Sequence, residues 1–496
     1  MARIAVIGAG MGAMAAAARL AVAGHRVVVY ERAATYGGAV RRFERDGFAF
    51  DTGPGLLPLP AVYRDLFVKT GKQPLEECVE LVQVDPSSHH VFADGTQVSL
   101  PNASRAGVVS ALDEALGAGA GGRWGDFLVR AREAWDRTRR PLLEEPLWPN
   151  WSVLADREPY PCVPHKKLLR TRRAGTLAEV AAWELRDARL AALLESHALA
   201  YGLDPRVTPA SAAVLPYMEH AFGTWYVRGG IRELARAVYE RCVARRVEFV
   251  FGAEVTGIVE KDGRVAGVEL TGGTVADADL VVAGVAPGVL DGLVPGAVRA
   301  DGEVSPQRGA PSRLTVLLAL RGGRPEGVAH RTVVHAADRE AELDGLFGER
   351  PGLPVSPTVT VSRPADPALV PDAEHEAVTL TVTVPSGLPV SDSDVEGLLG
   401  AAERALPGLR DRLLWHEVRT PADVAEATGA VGGAIPAPAL AAADGRLLHP
   451  SNATRIPGLF AAGGWAHPGG GLPHAGMSGA LVAGLIVEGP EFRGSQ

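Results

Sequence analysis

The sequence is poor in cysteine, in positive charge and in long apolar runs, and each deficit excludes a class of protein. Its 496 residues include only three cysteines, Cys78, Cys162 and Cys242. Their odd number and wide spacing fit a reducing compartment, which we interpret as the cytoplasm, and predict no disulfide framework. The formal net charge of -8 argues against a nucleic-acid partner, because phosphate recognition normally needs a basic face. No apolar run approaches the ~20 residues that span a bilayer, so we expect no transmembrane helix.

Catalytic and membrane signatures are equally sparse. The chain contains no nucleophile elbow, Walker loop, kinase signature or paired-histidine motif, so we expect no metal site. One basic segment, HKKLLRTRR at residues 165–173, combines cations with a leucine pair and leaves peripheral contact with anionic headgroups open. The alternative is a helix or loop face that lies in water, as most basic clusters do.

The N-terminal thirty residues predict a strand, a tight turn, a helix and a second strand. We expect strands over residues 4–7 and 27–30 and a helix over about 14–23, with the turn formed by Gly8-Ala9-Gly10-Met11-Gly12-Ala13. Such a turn holds a dinucleotide pyrophosphate at a helix N-terminus. Glu31 follows at about the spacing at which an acidic side chain reaches the ribose. The interrupting glycines argue against a secretory leader.

The glycine pattern alone is weak evidence, because a second copy occurs at residues 117–122, GAGAGG. The sequence before this copy has helical periodicity and contains no strand. We therefore interpret it as a helix terminus plus a loop, and we place the dinucleotide at the N-terminal copy.

The middle of the chain divides into a helical part and a strand-rich part. Residues 84–100 predict a hairpin with its turn at Asp94-Gly95. Helical patterns prevail over residues 102–215. Alternating apolar and polar residues over 312–385 then predict a half-buried antiparallel sheet.

A second glycine-rich loop lies near the C-terminus. Gly458 to Gly463 reads as a short strand that enters a tight loop, and Gly476 to Val487 reads as a helix of small residues. A glycine loop that leads into a helix N-terminus can hold an anion or a carbonyl group. Its natural occupant is the other half of the same long cofactor.

These segments together resemble the flavin-dependent phytoene desaturase family, within the wider group that includes amine oxidases and protoporphyrinogen oxidase. The resemblance covers nearly the whole chain. Its motifs are VIGAGMGAMAAAARLAVAGHRVVVYE, DGFAFDTGP, VDPSSHHVFADG, GTWYVRGGIREL, GAEVTGIVEKDGRVAGVELTGG, PTVTVSRPADPALVPDAEHEAVTLTVTVP and GLFAAGGWAHPGGGLPHAGMSGALVAG.

The resemblance implies that FAD is the cofactor and suggests where it binds. The pyrophosphate is expected on the turn from Gly8 to Ala13, the ribose on Glu31 and the adenine on the backbone of Val255. The flavin is expected near the second glycine loop, with the dipole of a helix starting at about Gly476 directed at it. The implied cofactor residues are Gly8, Gly10, Gly12, Ala13, Glu31, Arg32, Gly38, Gly53, Pro54, Val255, Gly463, Gly464, Gly476 and Met477.

One position departs from the family pattern. Ala39 stands where the family often has a basic residue after the glycine pair, and Arg41 or Arg42 is available to replace it. The sequence does not decide between the two.

The implied fold class is α/β, with a discontinuous Rossmann-like FAD-binding domain and a substrate domain that combines a mixed β-sheet with helices. The ranges are 1–75, 228–305 and 446–490 for the cofactor domain, and 76–227 and 306–445 for the substrate domain.

Several side chains expected near the flavin are candidates for proton transfer or for contact with the substrate. A desaturation removes a hydride and a proton from neighbouring carbons, and His467, His220 and Glu219 are candidates to handle the proton. Tyr217, Trp225 and Tyr226, together with His474, are candidates to contact the substrate. For the aromatic cluster we favour the alternative that it is core at a domain interface, and His467 is equally interpreted as a side chain that holds its own loop by hydrogen bonds.

Three functions remain open at this point. The first is FAD-dependent desaturation or dehydrogenation of a lipophilic substrate, by family default a polyisoprenoid such as a carotenoid, with an unidentified electron acceptor. The second is an amine oxidase-like dehydrogenation of a specialised metabolite, in which aromatic side chains enclose an ammonium group. The third is a lipid-binding escort-like protein without redox activity, because one fold carries many functions.

Overall fold

The computed structural model describes residues 1–167, 170–297 and 310–494. The strands are β1 (Arg3–Ile7), β2 (Arg26–Glu31), β3 (Arg42–Arg45), β4 (Phe48–Asp51), β5 (Leu57–Pro58), β6 (Leu81–Gln83), β7 (Ser88–Val91), β8 (Gln97–Leu100), β9 (His165–Lys167), β10 (Arg170–Arg172), β11 (Thr224–Val227), β12 (Glu248–Phe251), β13 (Val255–Lys261), β14 (Arg264–Leu270), β15 (Thr274–Asp277), β16 (Leu280–Ala283), β17 (Ser312–Arg321), β18 (Arg331–Val334), β19 (Val359–Ser362), β20 (His375–Val384), β21 (Leu413–Arg419) and β22 (Leu459–Ala461). The helices are α1 (Met11–Val22), α2 (Ala61–Gly71), α3 (Arg105–Leu116), α4 (Ala120–Arg139), α5 (Ser152–Asp156), α6 (Leu177–Val180), α7 (Ala188–Leu199), α8 (Val214–Phe222), α9 (Arg232–Ala244), α10 (Pro287–Leu293), α11 (Arg339–Phe347), α12 (Asp392–Ala402), α13 (Leu409–Arg412), α14 (Pro421–Thr428) and α15 (Leu472–Val487).

A parallel sheet of five strands brings the two ends of the chain together. Its order is β12-β2-β1-β16-β22, and each neighbouring pair is parallel. The central strand β1 is an apolar run because, beyond its first residue, it is buried on both faces of the sheet. This sheet, with its helices, confirms the predicted α/β, Rossmann-like fold. The division into two domains stays a prediction, and the five strands come from all three segments assigned to the cofactor domain.

Small residues allow α1 and α15 to pack in close contact. A Cβ atom at Gly12 would lie 2.7 Å from the carbonyl oxygen of Ala475 and 2.8 Å from the Cα atom of Gly463. A Cβ atom at Gly479 would meet the carbonyl oxygen of Gly12 and would lie 2.7 Å from the backbone nitrogen of Ala16. The glycines therefore determine how closely the helices from the two chain ends pack, and any larger side chain would push these helices apart.

The second large sheet has seven strands in the order β21-β17-β20-β19-β18-β7-β8. Its pairs are antiparallel except for β18 with β7, so the predicted antiparallel sheet over 312–385 is confirmed but is part of a larger mixed sheet. The hairpin β7–β8 contributes two of the strands. Its turn lies at Asp94-Gly95, as predicted, where the backbone N–H of Gly95 donates to the carbonyl oxygen of Phe92 at 3.1 Å.

The two faces of this sheet differ in chemistry. Along β20 the aliphatic residues are buried in a core shared with α12, whereas the threonines between them are only half-buried. This alternation with a period of two places a row of hydroxyl groups on the opposite face of the sheet.

Two helix boundaries differ from the sequence prediction. Helix α1 begins at Met11 rather than near 14, and α15 begins at Leu472 rather than at Gly476. Pro473 does not delay the start of α15, because a proline in the first helical turn removes no hydrogen bond that the helix would make. Both helices are therefore longer at the ends that face the glycine loops.

The two ambiguous segments are also resolved by the structure. Residues 117–119 connect the end of α3 at Leu116 to α4, and residues 120–122 are the first residues of α4, so this copy of the glycine pattern is a loop plus a helix terminus. The basic segment forms the antiparallel pair β9–β10 rather than a helix or a loop, and its leucine pair lies outside the described residues. The ring of His165 stacks on Trp183 at 5.0 Å.

None of the described helices combines the length and the apolar character that crossing a membrane requires. In the same part of the chain, no group of three or more histidine, cysteine or acidic side chains is arranged to hold a metal ion.

Candidate cofactor and substrate cavity

A cavity of about 630 Å³ extends from the glycine turn after β1, past the loop that precedes α15, to the threonine-bearing face of the seven-stranded sheet. A volume of this size suits a buried organic ligand. Most of the cofactor residues predicted from the sequence lie on its wall. They are Gly8, Gly10, Gly12, Ala13, Glu31, Arg32, Gly38, Gly53, Pro54, Val255, Gly463 and Gly464.

The glycine turn opens the N-terminus of α1 to the cavity. Gly8 has a φ of 89°, and a Cβ atom there would lie 3.1 Å from the carbonyl oxygen of Gly284, so this position requires glycine. Gly10 caps α1 without a side-chain hydrogen bond, and a Cβ atom there would meet nothing within 4 Å. The first amides of the helix therefore have no intrahelical partner, and they lie at its positive end. This arrangement fits a pyrophosphate group.

The carboxylate of Glu31 is held rigidly beside this turn. It accepts hydrogen bonds from the backbone N–H groups of Ala9 at 2.7 Å and Ala33 at 2.8 Å. Each carboxylate oxygen keeps a further lone pair, so the group can still accept hydrogen bonds from ribose hydroxyls. Val255, at the start of β13, is also on the wall. The residues present thus fit the adenosine half of FAD.

The structure distinguishes the two arginines that follow Ala39. Arg41 lies on the cavity wall, where its Nε donates to the carbonyl oxygen of Gly38 at 2.9 Å. Arg42 is not part of the wall, and its Nε lies 3.0 Å from a carboxylate oxygen of Glu44. Of the two, Arg41 is therefore the cation that is positioned to reach a cofactor.

At the other end of the cofactor region, the wall consists of the second glycine loop and the first turn of α15. Gly463, Gly464, Leu472 and Ala475 line it. Gly476 and Met477, which the sequence placed here, do not, because α15 begins one turn earlier than predicted. A Cβ atom at Gly476 would instead lie 2.8 Å from the side chain of Val62. Met477 packs against the helical core.

Of the three predicted proton carriers, only Glu219 lies on the cavity wall. His220 is half-buried at the end of α8 and is not part of the wall. His467 is fully buried, and its Nε2 atom lies 2.9 Å from the carbonyl oxygen of Glu145. The ring of His467 therefore contacts the backbone of a distant segment and is not part of the cavity wall.

The aromatic cluster is likewise separate from the cavity. Tyr217 packs on Trp135 at 6.3 Å, and the indole N–H of Trp225 donates to a backbone carbonyl of the preceding turn at 3.0 Å. The hydroxyl of Tyr226 donates to Asp366 at 2.8 Å. These contacts match the alternative reading, in which the aromatic side chains belong to the core.

A polar cluster that no sequence pattern predicted lies on the wall around Glu219. Arg331 binds the Glu219 carboxylate through both terminal nitrogens, at 2.6 and 3.1 Å. His197 Nε2 lies 3.7 Å from the same carboxylate, and Tyr201 lies on the same wall. A Cβ atom at Gly471, just before α15, would lie 3.9 Å from the Tyr201 hydroxyl. The cluster therefore adjoins the end of the cavity formed by the second glycine loop.

The charges in this cluster are set by burial and by pairing. Burial alone would raise the pKa of Glu219, but the charge and hydrogen bonds of Arg331, with a contribution from the nearby His197, outweigh it and hold that pKa well below its usual range. Burial, with a contribution from the nearby carboxylate, raises the pKa of Tyr201 to about 12. At neutral pH the cavity therefore contains an ionised carboxylate and a neutral phenol.

Three buried histidines near the chain end make stability depend on pH. Burial lowers the pKa of His449 and of His467 to about 4, and that of His474 to about 3. His474, a predicted substrate contact, lies in the first turn of α15, where its Nδ1 atom would be 3.3 Å from a Cβ atom at Gly471. It is not part of the large cavity's wall. Below pH ~6.5 the unfolded chain binds protons that the folded chain rejects, so each histidine removes stability as the pH falls toward its folded pKa.

His449→Gln is expected to weaken this pH dependence. His449 Nε2 lies 2.7 Å from the carbonyl oxygen of Ala437, and a glutamine amide can replace that donor. The free energy of unfolding is measured by urea denaturation at pH 7.5, 6 and 5. Below pH 6.5 its slope against pH is expected to be smaller in the variant than in the wild-type protein, by about 1 kcal/mol per pH unit. The matched control is His416→Gln at an exposed position. Equal slopes for His449→Gln and the wild-type protein would contradict the buried, neutral state of this histidine.

Fold and cavity together define the class of the protein, an FAD-dependent oxidoreductase. Residues 14–487 match the family described as "Flavin containing amine oxidoreductase", and the chain belongs to this family.

Similar proteins over the full length agree with this assignment. Hydroxyneurosporene desaturase of Rhodobacter capsulatus is 31% identical, with 98% of this chain and 97% of the relative covered. 4,4'-Diapolycopene oxygenase of a Methylomonas species is 28% identical, with 98% of each chain covered. An oxidoreductase of Methanosarcina mazei has the same fold, with a TM-score of 0.64, 18% identity and coverage of 97% of this chain and 99% of that one. The predicted resemblance to carotenoid desaturases and the prediction of FAD are confirmed.

Proposed function

We propose that this protein introduces carbon–carbon double bonds into a polyisoprenoid substrate of the carotenoid type. The observation that carries the proposal is the continuity of the cavity, whose wall extends from the glycine turn to residues of the seven-stranded sheet. Such a cavity can hold a dinucleotide and an elongated second ligand end to end. Two relatives that cover nearly the whole chain are named for reactions on hydroxyneurosporene and 4,4'-diapolycopene, which supports this substrate class.

We propose an orientation for FAD from the wall residues. The pyrophosphate lies at the turn from Gly8 to Ala13, the ribose at Glu31, and the flavin ring between Gly53-Pro54 and Gly463-Gly464. Bound FAD supplies the acceptor for the hydride that leaves the substrate. The first turn of α15 directs its positive end toward the flavin region, where it stabilises negative charge.

The chain's own side chains bind and polarise the substrate. Glu219 stays ionised because Arg331 pairs with it, so it is a weak base and does not take up the substrate proton. Tyr201 lies on the same wall, and its hydroxyl stays protonated and can donate a hydrogen bond.

The other two functions receive less support from these contacts. An amine oxidase needs an open cage for an ammonium group, but Tyr217, Trp225 and Tyr226 are used in the core, and Glu219 is already paired. An escort-like protein without redox activity has no need for a glycine turn that leaves the space at Gly10 free.

Anaerobic reduction of the flavin tests the proposal. The purified holoprotein is mixed without oxygen with a hydroxylated carotenoid or with putrescine, and the visible absorbance of the oxidised flavin is followed. We expect the carotenoid to bleach the flavin and to gain conjugation, which moves its own absorbance to longer wavelength. Bleaching by the amine alone, or by neither compound, would contradict the proposed function.

A further inference from the structure

The substrate end of the cavity is more polar than a hydrocarbon needs. Hydroxyl side chains from two neighbouring strands line it, and each is half-buried on the face opposite the aliphatic core. Thr360 of β19 lies directly across from Thr381 of β20. The hydroxyl side chains of this strip are Thr358, Thr360, Ser362, Thr381 and Thr383. The Thr358 hydroxyl donates to Glu342, which also lines the cavity, at 2.9 Å, and the Thr383 hydroxyl donates to the carbonyl oxygen of Leu199 at 2.7 Å.

Arg313 is the unusual residue of this region. It lies on β17, directly across from Thr383, and it lines the cavity. Its Nη2 atom donates to the carbonyl oxygen of Ala200 at 2.9 Å, which uses one of its five N–H groups. In the described part of the chain no acidic side chain forms an ion pair with it, in contrast to Arg331, which is neutralised by Glu219.

The Arg313 guanidinium is buried without an acidic partner among the described residues, and burying an unpaired charge costs free energy. Burial lowers the pKa of Arg313, and the nearby Tyr201 only partly offsets this effect. A desolvated guanidinium with free N–H groups gains most from a ligand that is negatively charged and planar, because a carboxylate accepts two parallel hydrogen bonds. The neutral hydroxyls of Thr381 and Thr383 cannot supply that charge.

We propose that Arg313 binds a carboxylate at one end of the polyene substrate. The inference rests on the proposed function and adds the chemical class of the substrate, a polyene acid rather than a plain hydrocarbon. The carboxylate lies beside Arg313 and Tyr201, and the apolar part of the molecule extends from there toward the second glycine loop. Arg313 thereby sets which end of the substrate enters first.

The test uses a fluorescent polyene acid as the probe. The FAD-loaded protein is titrated with cis-parinaric acid and, separately, with its methyl ester, and binding is followed by probe fluorescence and by the shift of the flavin absorbance band. The wild-type protein is expected to bind the acid at least tenfold more tightly than the ester, because hydrogen bonds to charged groups are the strong ones. Arg313→Gln is expected to remove that difference, and Arg313→Lys to keep part of it.

Arg321→Gln provides the matched control, since Arg321 lies on the same strand but is exposed to solvent. It is expected to bind both probes as the wild-type protein does. The inference would be overturned if the wild-type protein bound acid and ester equally or did not bind the acid. It would also be overturned if Arg313→Gln lost affinity for both probes equally. A protein that contains FAD and desaturates a neutral carotenoid, yet shows no preference for the acid, would overturn only the inference and leave the proposed function intact.

Discussion

Replacing Gly479 with alanine is expected to release FAD from the protein. The added Cβ atom would meet the backbone of α1 at Gly12 and Ala16, and backbone atoms cannot move aside as a flexible side chain can. The helices must then separate, which opens the wall that the two chain ends form together. Overpacking of this kind costs ~3 kcal/mol, which corresponds to a roughly hundredfold weaker binding of FAD. The FAD content after dialysis and the dissociation constant for added FAD measure the effect.

Gly400→Ala is the matched control for this substitution. Gly400 lies within α12 and is exposed, and a Cβ atom there would meet nothing within 4 Å. Alanine inside a helix is more favourable than glycine by ~1 kcal/mol, so this variant is expected to be slightly more stable and to keep its FAD. If Gly479→Ala behaved in the same way, α1 and α15 would not be packed as described.

The second large effect concerns the ion pair on the cavity wall. Arg331→Met leaves the Glu219 carboxylate in a desolvated position without its cation, and breaking a buried pair from one side is strongly destabilising. Because the pair faces a cavity rather than a dry core, we expect a loss of ~2–3 kcal/mol in the free energy of unfolding. Urea denaturation of the holoprotein measures it.

A double-mutant cycle separates the charge from the packing. Glu219→Gln combined with Arg331→Met removes both charges, and the double variant is expected to recover most of the stability that Arg331→Met loses. Simple addition of the two single effects would show that Glu219 and Arg331 do not interact in solution.

Features encoded by local sequence could be predicted well. The glycine turn between β1 and α1, the hairpin turn at Asp94-Gly95 and the alternating strands each depend on neighbouring residues, so the sequence around them carries the information. The helix start at Leu472 was misjudged, because the glycines before it and Pro473 read as a loop. Proline in the first turn is nevertheless compatible with a helix.

The substrate end of the cavity could not be predicted in the same way. Arg313 and Arg331 lie on two strands of the seven-stranded sheet, and Tyr201 follows α7 in the helical part, so only the packing of the helical part against the sheet brings Tyr201 to the two arginines. The single local signal is the arginine near the start of the apolar strand β17, which a purely buried strand would not contain. His467 shows the converse error, because closeness in sequence to the second glycine loop does not bring its ring to the cavity.

The alternation of threonine with aliphatic residues in β19 and β20 indicates more than the presence of two strands. It identified the strands correctly, but it also marks which face carries hydroxyl groups. A face of hydroxyls opposite an aliphatic core is either solvated or part of a polar cavity, and the sequence alone does not distinguish these two cases.

We infer that the two ends of the chain together enclose one FAD molecule, and the identity of the bound cofactor tests this arrangement. The purified protein is denatured, and the released nucleotide is separated by chromatography and quantified against the protein. The account predicts FAD at one molecule per chain. Release of a nicotinamide dinucleotide or of FMN instead, or a colourless protein that takes up no added FAD, would contradict it.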